Sequence, residues 1–450
     1  MGFKKDFVWG VATSSYQIEG AAHEDGRGSS IWDDFCDEDG RVFEHHNGDV
    51  ACDHYHLYKQ DIKLMAELGV KAYRFSISWP RILPQGTGEI NQKGLAFYVN
   101  LVDELLKYGI EPYITLYHWD MPSALFKKGG WLNSDSPLWF EEYTRVIANA
   151  LKGKAKNIIT FNEPAIFMGL GYVSTVHAPG IKMLRKDSLL MAHHVLLAHG
   201  RAVKTLRSTL ANVKIGFAPN SAPCIPVSNS DADIKAAKQQ YFSATSNANW
   251  LMNVTLWSDP IFFGRYPQDA IEKYGNDMPS YTDEDMQIIS QPIDFYGQNI
   301  YSGDLYMDAD GEPKHVAYSE GNPKTAIGWY VSFDCLYWGV KFLYERYKTP
   351  IVITENGMSS HDWVQMDGKV HDPQRIDYLH RHLLGLRKAA DEGIEIDGYM
   401  QWSFMDNFEW AKGYDDRFGL VYIDYKTQKR ILKDSFYWYA QTIRENGENL

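Results

Sequence analysis

One repeated pattern limits the possible folds of this chain more than any other feature. A short strand-like run ends in polar or aromatic residues, and a helix-like segment follows it. Eight runs have this form: FVWGVAT, KAYRFSIS, PYITLYH, NIITFNE, VKIGFAPN, IDFYGQNIY, IVITEN and DGYMQWSF. Strands that alternate with helices are typical of parallel α/β folds, and eight of them favour a closed barrel over an open sheet. We therefore predict an α/β fold, a (β/α)8 TIM barrel, with residues 1–450 forming a single domain.

The segments between the runs carry helical signals. In CDHYHLYKQDIKLMAELGV, Leu57, Ile62, Met65 and Leu68 recur at helical spacing, and Gly69 supplies a stop signal. Longer gaps, such as residues 220–290, are predicted to be loops and extra helices that elaborate the rim at the C-terminal face of the barrel.

Composition and charge exclude several functional classes. The net charge is −13, which argues against nucleic acid as a partner, because phosphate binding needs a basic surface. No apolar run is long enough to cross a membrane. The first residues lack the apolar core of a signal peptide, so we expect a cytoplasmic protein. The four cysteines lack zinc-binding spacing and are expected to be free thiols.

The histidines in MAHHVLLAHG do not indicate a metal site. His193, His194 and His199 lie in a helical pattern without nearby carboxylates. Offsets of five and six residues do not share one helix face, so the three side chains cannot converge on one ion. We interpret them as structural histidines and predict no metal.

Two strand-like runs end in a glutamate preceded or followed by an asparagine. IVIT leads into Glu355 and Asn356, and NIITF leads into Asn162 and Glu163. In (β/α)8 barrels the chemistry takes place at the C-terminal ends of the strands, so both carboxylates should face one barrel mouth. Pro164 disfavours a helical conformation for Glu163, and we therefore predict an extended one.

Paired glutamates across a cleft are what cleavage of a glycosidic bond requires. One carboxyl group protonates the leaving oxygen, and the other faces the sugar carbon. A gap of roughly 5 Å permits direct attack and retention, whereas about 6.5–9.5 Å admits a water molecule and gives inversion. The residues alone leave this choice open. The alternative interpretation is a pair of solvated loop carboxylates, because most glutamates are exposed.

Alternation in KAYRFSIS predicts that Arg74 points into the barrel, where a buried cation requires an anion. Glu355 is a suitable partner, and we expect Arg74 to lower its pKa. Glu163 must instead hold a proton, so its pKa should be raised by the nearby anion and by exclusion of water. The alternative is a structural ion pair of Arg74 elsewhere.

A resemblance covers the chain from end to end. TFNEP and VITENG resemble the paired signatures of family 1 glycoside hydrolases, the β-glucosidase family. Supporting stretches are DFVWGVATSSYQIEG, YRFSISWPRI, LYHWDMP, VHAPG and QWSFMDNFEWAKGYDDRFGL. The resemblance implies a retaining β-glucosidase that forms a covalent glycosyl-enzyme and needs no cofactor. Its expected substrates are cellobiose, short cello-oligosaccharides and aryl or alkyl β-glucosides.

The resemblance also implies residue roles. Glu163 is the expected general acid/base and Glu355 the expected nucleophile, which Arg74 and Tyr301 contact. Trp402 should lie under the sugar ring, with a cis peptide bond after it. The expected substrate-binding set is Gln17, His118, Trp119, Asn162, Asn299, Tyr301, Trp329, Trp402, Glu409, Trp410 and Phe418. For His118 and Trp119, ordinary packing at the rim is the alternative.

Glu409 bears on the sugar, because a carboxylate accepts hydrogen bonds from hydroxyls and repels a 6-phosphate. Many relatives have Trp where this chain has Ala165, and Ile300 also departs from the commoner pattern. These departures leave the leaving-group preference open. A broad β-glycosidase or β-galactosidase is the nearest alternative, and a non-catalytic sugar-binding barrel is a second. Assembly into a homo-oligomer is left open.

Overall fold

The computed structural model describes residues 3–450, and eight parallel strands form a closed barrel within it. These strands are β1 (Val8–Ala12), β2 (Ala72–Ser76), β3 (Glu111–Tyr117), β4 (Asn157–Asn162), β5 (Lys214–Ala218), β6 (Phe295–Asn299), β7 (Ile351–Asn356) and β8 (Ile396–Trp402). Each strand pairs with its neighbours in chain order, and β8 pairs with β1 to close the ring. All eight predicted runs are barrel strands, which confirms the predicted fold.

Helices connect the strands on the outside of the barrel. The longer ones span His54–Leu68, Gln92–Lys107, Ser136–Ala150, Arg185–Thr209, Asp231–Tyr241, Thr255–Phe263, Gln268–Tyr274, Asp283–Ile289, Cys335–Tyr347, Pro373–Asp391 and Asp434–Arg444. Short helices span Ser15–Ile18, Ile31–Cys36, Trp79–Ile82, Ser123–Phe126 and Pro164–Met168. Single-turn segments lie at Phe43–His45, Gly130–Leu132, Gly169–Val173, Gly275–Asp277 and Trp410–Lys412.

Short strands outside the barrel form two small sheets. One contains Cys224–Pro226, Asp304–Ala309 and Glu312–Val316, and the other is the hairpin of Val421–Asp424 with Lys429–Leu432. The gap at residues 220–290 contains the extra helices that the sequence predicts. Gly69 ends the first long helix with a left-handed φ of 87°, as its stop signal predicts.

Strand alternation separates an inner side-chain cluster from the outer core. On β2, Ala72 belongs to the inner cluster, whereas Tyr73 and Phe75 pack in the core between the barrel and its helices. Arg74 is fully buried and points inward, as predicted. The barrel interior is therefore filled with side chains, and the space for a ligand lies at its C-terminal end.

Buried ion pairs connect the loops after β7 and β8 to Lys433, which directly follows the hairpin near the end of the chain. The Lys433 ammonium donates to Asp362 (2.5 Å) and to Asp406 (2.7 Å). Arg417 also donates to Asp406 (2.7 Å), and Arg375 donates to Asp362 (2.8 Å). Because every buried charge here has an opposite partner, this network fixes both loops relative to the barrel.

The histidines and cysteines that the sequence analysis interprets as structural are buried and hydrogen-bonded or free. The Nδ1 atoms of His193, His194 and His199 lie within 2.8 Å of the Tyr266 hydroxyl, the Trp131 carbonyl and the Thr160 hydroxyl, respectively. All four cysteines are buried free thiols, as predicted. Among residues 3–450, no helix combines the length and apolar character that crossing a bilayer demands.

Candidate active site

A cavity of about 650 Å³ opens at the C-terminal face of the barrel. Eleven of the predicted site residues line it: His118, Trp119, Glu163, Asn299, Tyr301, Trp329, Glu355, Trp402, Glu409, Trp410 and Phe418. The other three, Gln17, Arg74 and Asn162, are fully buried behind its wall and hold residues that face it. The structure thus brings the whole predicted set to one place.

Glu355, at the end of β7, is held by a cation and a phenol. Arg74 Nη1 donates to Oε1 (2.6 Å), and the Tyr301 hydroxyl donates to Oε2 (2.6 Å). Arg74 also donates from Nη2 to Asn162 Oδ1 (2.6 Å). Both carboxylate oxygens therefore have donors that favour the ionised form and fix its orientation.

Glu163 follows β4 in a left-handed conformation, with φ 45° and ψ 62°. The predicted extended conformation is therefore wrong, although Pro164 does keep Glu163 out of the right-handed helical region. The backbone is fixed from both sides, because Glu163 N–H donates to the Ala218 carbonyl and its carbonyl accepts from Ile166 N–H. A left-handed non-glycine residue costs about 1–3 kcal/mol and persists where its surroundings determine it.

Asn299, at the end of β6, joins the two strand-end carboxylate regions. Its Nδ2 donates to Glu163 Oε1 (2.7 Å) and to Asn162 Oδ1 (2.9 Å). Its Oδ1 accepts from the Thr354 hydroxyl (2.6 Å), next to Glu355. A single amide therefore fixes Glu163 relative to the strand that carries Glu355.

Burial raises the pKa of Glu163 to about 8, and the negative charge of Glu355 adds to the effect. The hydrogen bond from Asn299 and the charge of Arg74 act in the opposite direction. This agrees with the predicted raised pKa. A carboxyl group with this pKa is mostly protonated at neutral pH and is able to donate a proton.

Burial also raises the pKa of Glu355, and this effect exceeds the predicted lowering by Arg74. Arg74 and Tyr301 do lower this pKa, as expected, but the loss of water around the carboxylate outweighs them. The contacts still distinguish the two acids. Glu355 contacts a cation, whereas Glu163 contacts only a neutral amide, so the proton that the pair shares resides on Glu163.

Aromatic rings form the inner end of the cavity. The His118 ring is nearly parallel to Trp402 and Trp410, with centroids 5.8 Å and 6.0 Å away. Asn162 Nδ2 donates to His118 Nε2 (3.1 Å), and burial lowers the pKa of His118 well below its usual value. The imidazole is therefore neutral. The peptide bond after Trp402 is cis, as the resemblance implies.

Glu409 and Gln17 meet at this inner end. Gln17 Nε2 donates to the Phe408 carbonyl (2.8 Å) and, at longer range, to Glu409 Oε2 (3.5 Å). Burial raises the pKa of Glu409 well above its usual value, and Asp416 and the two strand-end glutamates add to the shift. This end of the cavity is therefore hostile to a second anion but suited to neutral hydroxyl groups.

The outer end of the cavity has a different character. Trp329 is 37% exposed, and its ring centroid lies 5.2 Å from Tyr301 and 6.1 Å from Phe418. Val176, also in the wall, is 51% exposed. Apolar surfaces that are open to water in this way suit the flat or apolar part of a ligand.

Several lining residues have no role in the sequence-based prediction, among them Asn220, His177, Ile166 and Leu170. Asn220 follows β5, so the rule that found Glu163 and Glu355 would have found it too. His177 lies in the quoted stretch VHAPG. For Ile166 and Leu170, which follow β4 in short helical segments, no sequence signal distinguishes them from core residues.

Within residues 3–450, no group of three or more His, Cys, Asp or Glu side chains is arranged to hold a metal ion. Polar side chains, the carboxyl groups of Glu163, Glu355 and Glu409 and a set of aromatic rings line the site. This combination fits a neutral polyhydroxylated ligand, because hydroxyls pair with carboxylates and amides while ring faces pack on aromatic side chains.

A family comparison decides the assignment. The model of glycosyl hydrolase family 1 matches residues 1–448. The chain belongs to this family. This membership confirms the resemblance and makes the protein a glycoside hydrolase with the barrel fold described above.

Individual relatives match over nearly their full length. The chain is 47% identical to beta-glucosidase A of Thermotoga maritima, covering 99% of this chain and 98% of that protein. It is 46% identical to the 1,4-beta-D-glucan glucohydrolase of Thermotoga neapolitana, covering 99% of both. A solved structure of the Thermotoga maritima beta-glucosidase in complex with glucoimidazole is 46% identical, with a TM-score of 0.91 and 99% of each chain covered.

Proposed function

We propose that this glycoside hydrolase is a retaining β-glucosidase, which removes terminal non-reducing β-D-glucosyl units by double displacement. The observation that carries the proposal is the unequal environment of two buried carboxyl groups on one cavity. Arg74 and Tyr301 hold Glu355, whereas a neutral amide holds Glu163. Such a pair supplies one nucleophile and one acid.

In the first step, the Glu355 carboxylate attacks the anomeric carbon of the bound glucoside. The bond to the leaving oxygen breaks, and Glu163 transfers its proton to that oxygen, so the alcohol leaves neutral. Arg74 and Tyr301 orient the attacking carboxylate without taking part in the proton transfer. The product is a glucosyl ester of Glu355.

In the second step, a water molecule attacks the same carbon and releases Glu355. The negative charge of Glu355 is absent while the ester exists, so the pKa of Glu163 falls and its carboxylate can accept a proton from the water. Glucose leaves with its original anomeric configuration, and Glu163 is protonated again. One residue therefore serves as acid and then as base.

The inner end of the cavity supports an unphosphorylated glucosyl unit. The Glu409 carboxyl is suited to sugar hydroxyls, and Trp402 to the ring face, while the buried Gln17 amide holds Glu409 from behind. A 6-phosphate would bring a second anion next to the buried Glu409 carboxyl, although Lys412 also lines the cavity. We propose cellobiose, short cello-oligosaccharides and aryl or alkyl β-glucosides as substrates, and cellulose breakdown as the setting.

A broad β-glycosidase with the same mechanism is the second candidate. Glu409 faces the cavity with a carboxyl group, which is able to pair with hydroxyls whose orientation differs between glucose and galactose or fucose. A sugar-binding barrel without activity is less favoured, because both glutamates are present and oriented. The free, buried cysteines favour a reducing compartment, and we propose that the protein acts in the cytoplasm.

A panel of chromogenic substrates tests the proposal. We expect the wild-type protein to release 4-nitrophenol from the β-glucoside faster than from the β-galactoside or β-fucoside, and not from the 6-phospho-β-glucoside. The NMR spectrum of the first product formed should show β-glucose, which establishes retention. Initial release of α-glucose would contradict the mechanism, and no release from any substrate would favour the sugar-binding alternative.

A further inference from the structure

A second cavity, of about 470 Å³, adjoins the candidate active site. The two cavities share the segment of Asn220, Ser221 and Ala222 together with Asp304 as common wall residues. We call the second cavity the side chamber. It has the size of an ordinary small-molecule site.

Ala165 keeps the side chamber open. This residue lines the chamber, lies two positions after Glu163 and is only 2% exposed. Because alanine carries only a methyl group, the space beside it is empty, and a large side chain at this position would project into it. The residue at which this chain departs from the Trp found in many relatives therefore lies in the chamber wall.

The chemistry of the side chamber suits a neutral sugar. Gln240, Ser243 and Asn247 contribute amide and hydroxyl groups, and Tyr306 contributes an aromatic ring. Amides and hydroxyls both donate and accept hydrogen bonds, as the hydroxyls of a sugar require. Among the described residues that line the chamber, Asp304 is the one charged side chain, and without a cation the chamber is unsuited to phosphates or carboxylates.

The shared wall connects the side chamber to the proposed catalytic groups. Ser221 N–H donates to the Asn299 carbonyl (3.0 Å), and Asn299 N–H donates to the Pro219 carbonyl (3.1 Å). Asn299 in turn donates to Glu163. A ligand in the chamber thus contacts a segment whose backbone is bonded to the residue that orients Glu163.

We propose that the side chamber is a second sugar-binding site, which takes a neutral hexose or pentose ring. The ring has two possible sources with the same chemistry: a further sugar of the leaving group, or a free monosaccharide. The first source rests on the proposed β-glucosidase function, and the second requires only binding.

Substitutions at two lining residues test the chamber. Ala165→Trp fills it, and Gln240→Leu removes an amide at nearly constant size. Gln287→Leu, on an exposed face of the helix Asp283–Ile289, is the matched control for the second change. Thermal unfolding establishes that each variant is folded, and Gln240→Leu decides the question if Ala165→Trp does not fold.

If the ring belongs to the leaving group, both variants should lower kcat/KM for cellotriose relative to 4-nitrophenyl β-glucoside. We expect about a tenfold decrease, as the loss of one or two hydrogen bonds would produce. If the ring is a free sugar, calorimetry should detect binding of D-xylose to the wild type, at least about tenfold weaker in both variants. The control should match the wild type.

The proposal is overturned if the folded variants retain the wild-type ratio of kcat/KM values and D-xylose binding is either undetectable or unaltered. Failure of the proposed function has a different signature. In that case the wild type releases no 4-nitrophenol. D-xylose binding needs no catalysis, so it alone then tests whether the side chamber binds a sugar.

Discussion

The two ends of the active-site cavity differ in how their side chains are held. At the inner end, Arg74, Asn162 and Asn299 are nearly or fully buried, and hydrogen bonds connect them to both glutamates. At the outer end, Trp329 and Val176 are partly open to water, and Trp329 packs beside Tyr301 and Phe418. The inner end is built for one fixed geometry, and the outer end for contact area.

This difference indicates where specificity and chemistry are separated. A hydrogen-bonded, buried group has one position, and leaving its partner unpaired costs about 1–3 kcal/mol or more for a charged group. An exposed aromatic ring accepts many ligand shapes. Substitutions at the inner end should therefore affect every substrate, whereas substitutions at the outer end should affect substrates according to their leaving groups.

The largest effect is expected for Glu355→Gln. An amide cannot attack the sugar carbon, so kcat for 4-nitrophenyl β-glucoside should fall at least about 10⁴-fold. Glu284→Gln, a change of the same kind on the exposed surface, should leave kcat unchanged. Substantial remaining turnover in a folded Glu355→Gln protein would contradict the assignment of the nucleophile.

Glu163→Gln should have the next largest effect, and one that depends on the leaving group. Alkyl glucosides need a proton from Glu163, so their kcat/KM should fall about 10²–10⁴-fold, whereas dinitrophenyl glucosides should be much less affected. The raised pKa of about 8 predicts that wild-type activity declines above that pH, as Glu163 loses its proton. This alkaline decline should be absent in the variant. Equal losses on both substrate types would argue against an acid role.

Tyr301→Phe should have an intermediate effect at the inner end. The phenol donates to Glu355 Oε2, and a hydrogen bond to a charged group contributes about 1.5–3 kcal/mol, so kcat/KM should fall about 10–100-fold. The ionised form of Glu355 loses a donor, so its pKa rises and the acid side of the pH profile moves to higher pH. Tyr337→Phe, which removes a phenol that donates to Glu392 outside the cavity, is the matched control. An unshifted profile would mean that Tyr301 does not stabilise the carboxylate.

The smallest effect is expected at the outer end, for Trp329→Ala. The exposed ring packs beside Tyr301 and Phe418, where an aryl leaving group would contact it. An aromatic pair contributes about 0.5–1.5 kcal/mol, so losing this contact should raise KM for aryl glucosides about 3–10-fold. For methyl β-glucoside, KM should hardly change. A large loss of kcat for both substrates would abolish the distinction between the two ends.

Most of the barrel was predictable because each strand has a recognisable local sequence pattern. Each run is short, apolar and ended by polar residues, and the alternation in β2 correctly places Arg74 inside and Tyr73 outside. The site residues at strand ends follow from the same rule. The assignment of residues 1–450 to a single domain stays a prediction, and the oligomeric state stays open.

What the sequence did not predict depends on contacts between distant segments. The left-handed conformation of Glu163 is set by bonds to Ala218 and Ile166, not by Pro164 alone. The net pKa shift of Glu355 depends on how completely water is excluded, which no local pattern reveals. The side chamber likewise needs Ala165 to face residues more than fifty positions away.

Lys433 has a consequence for the local opening of the loops after β7 and β8. Its ammonium donates to both Asp362 and Asp406, so the two segments that carry these acids are bonded to the same cation. If either segment moved away alone, a buried charge would lose its partner, so we expect the two segments to open together. Amide hydrogen exchange in the segments around residues 362 and 406 should therefore show a common opening rate, and Lys433→Met should uncouple them.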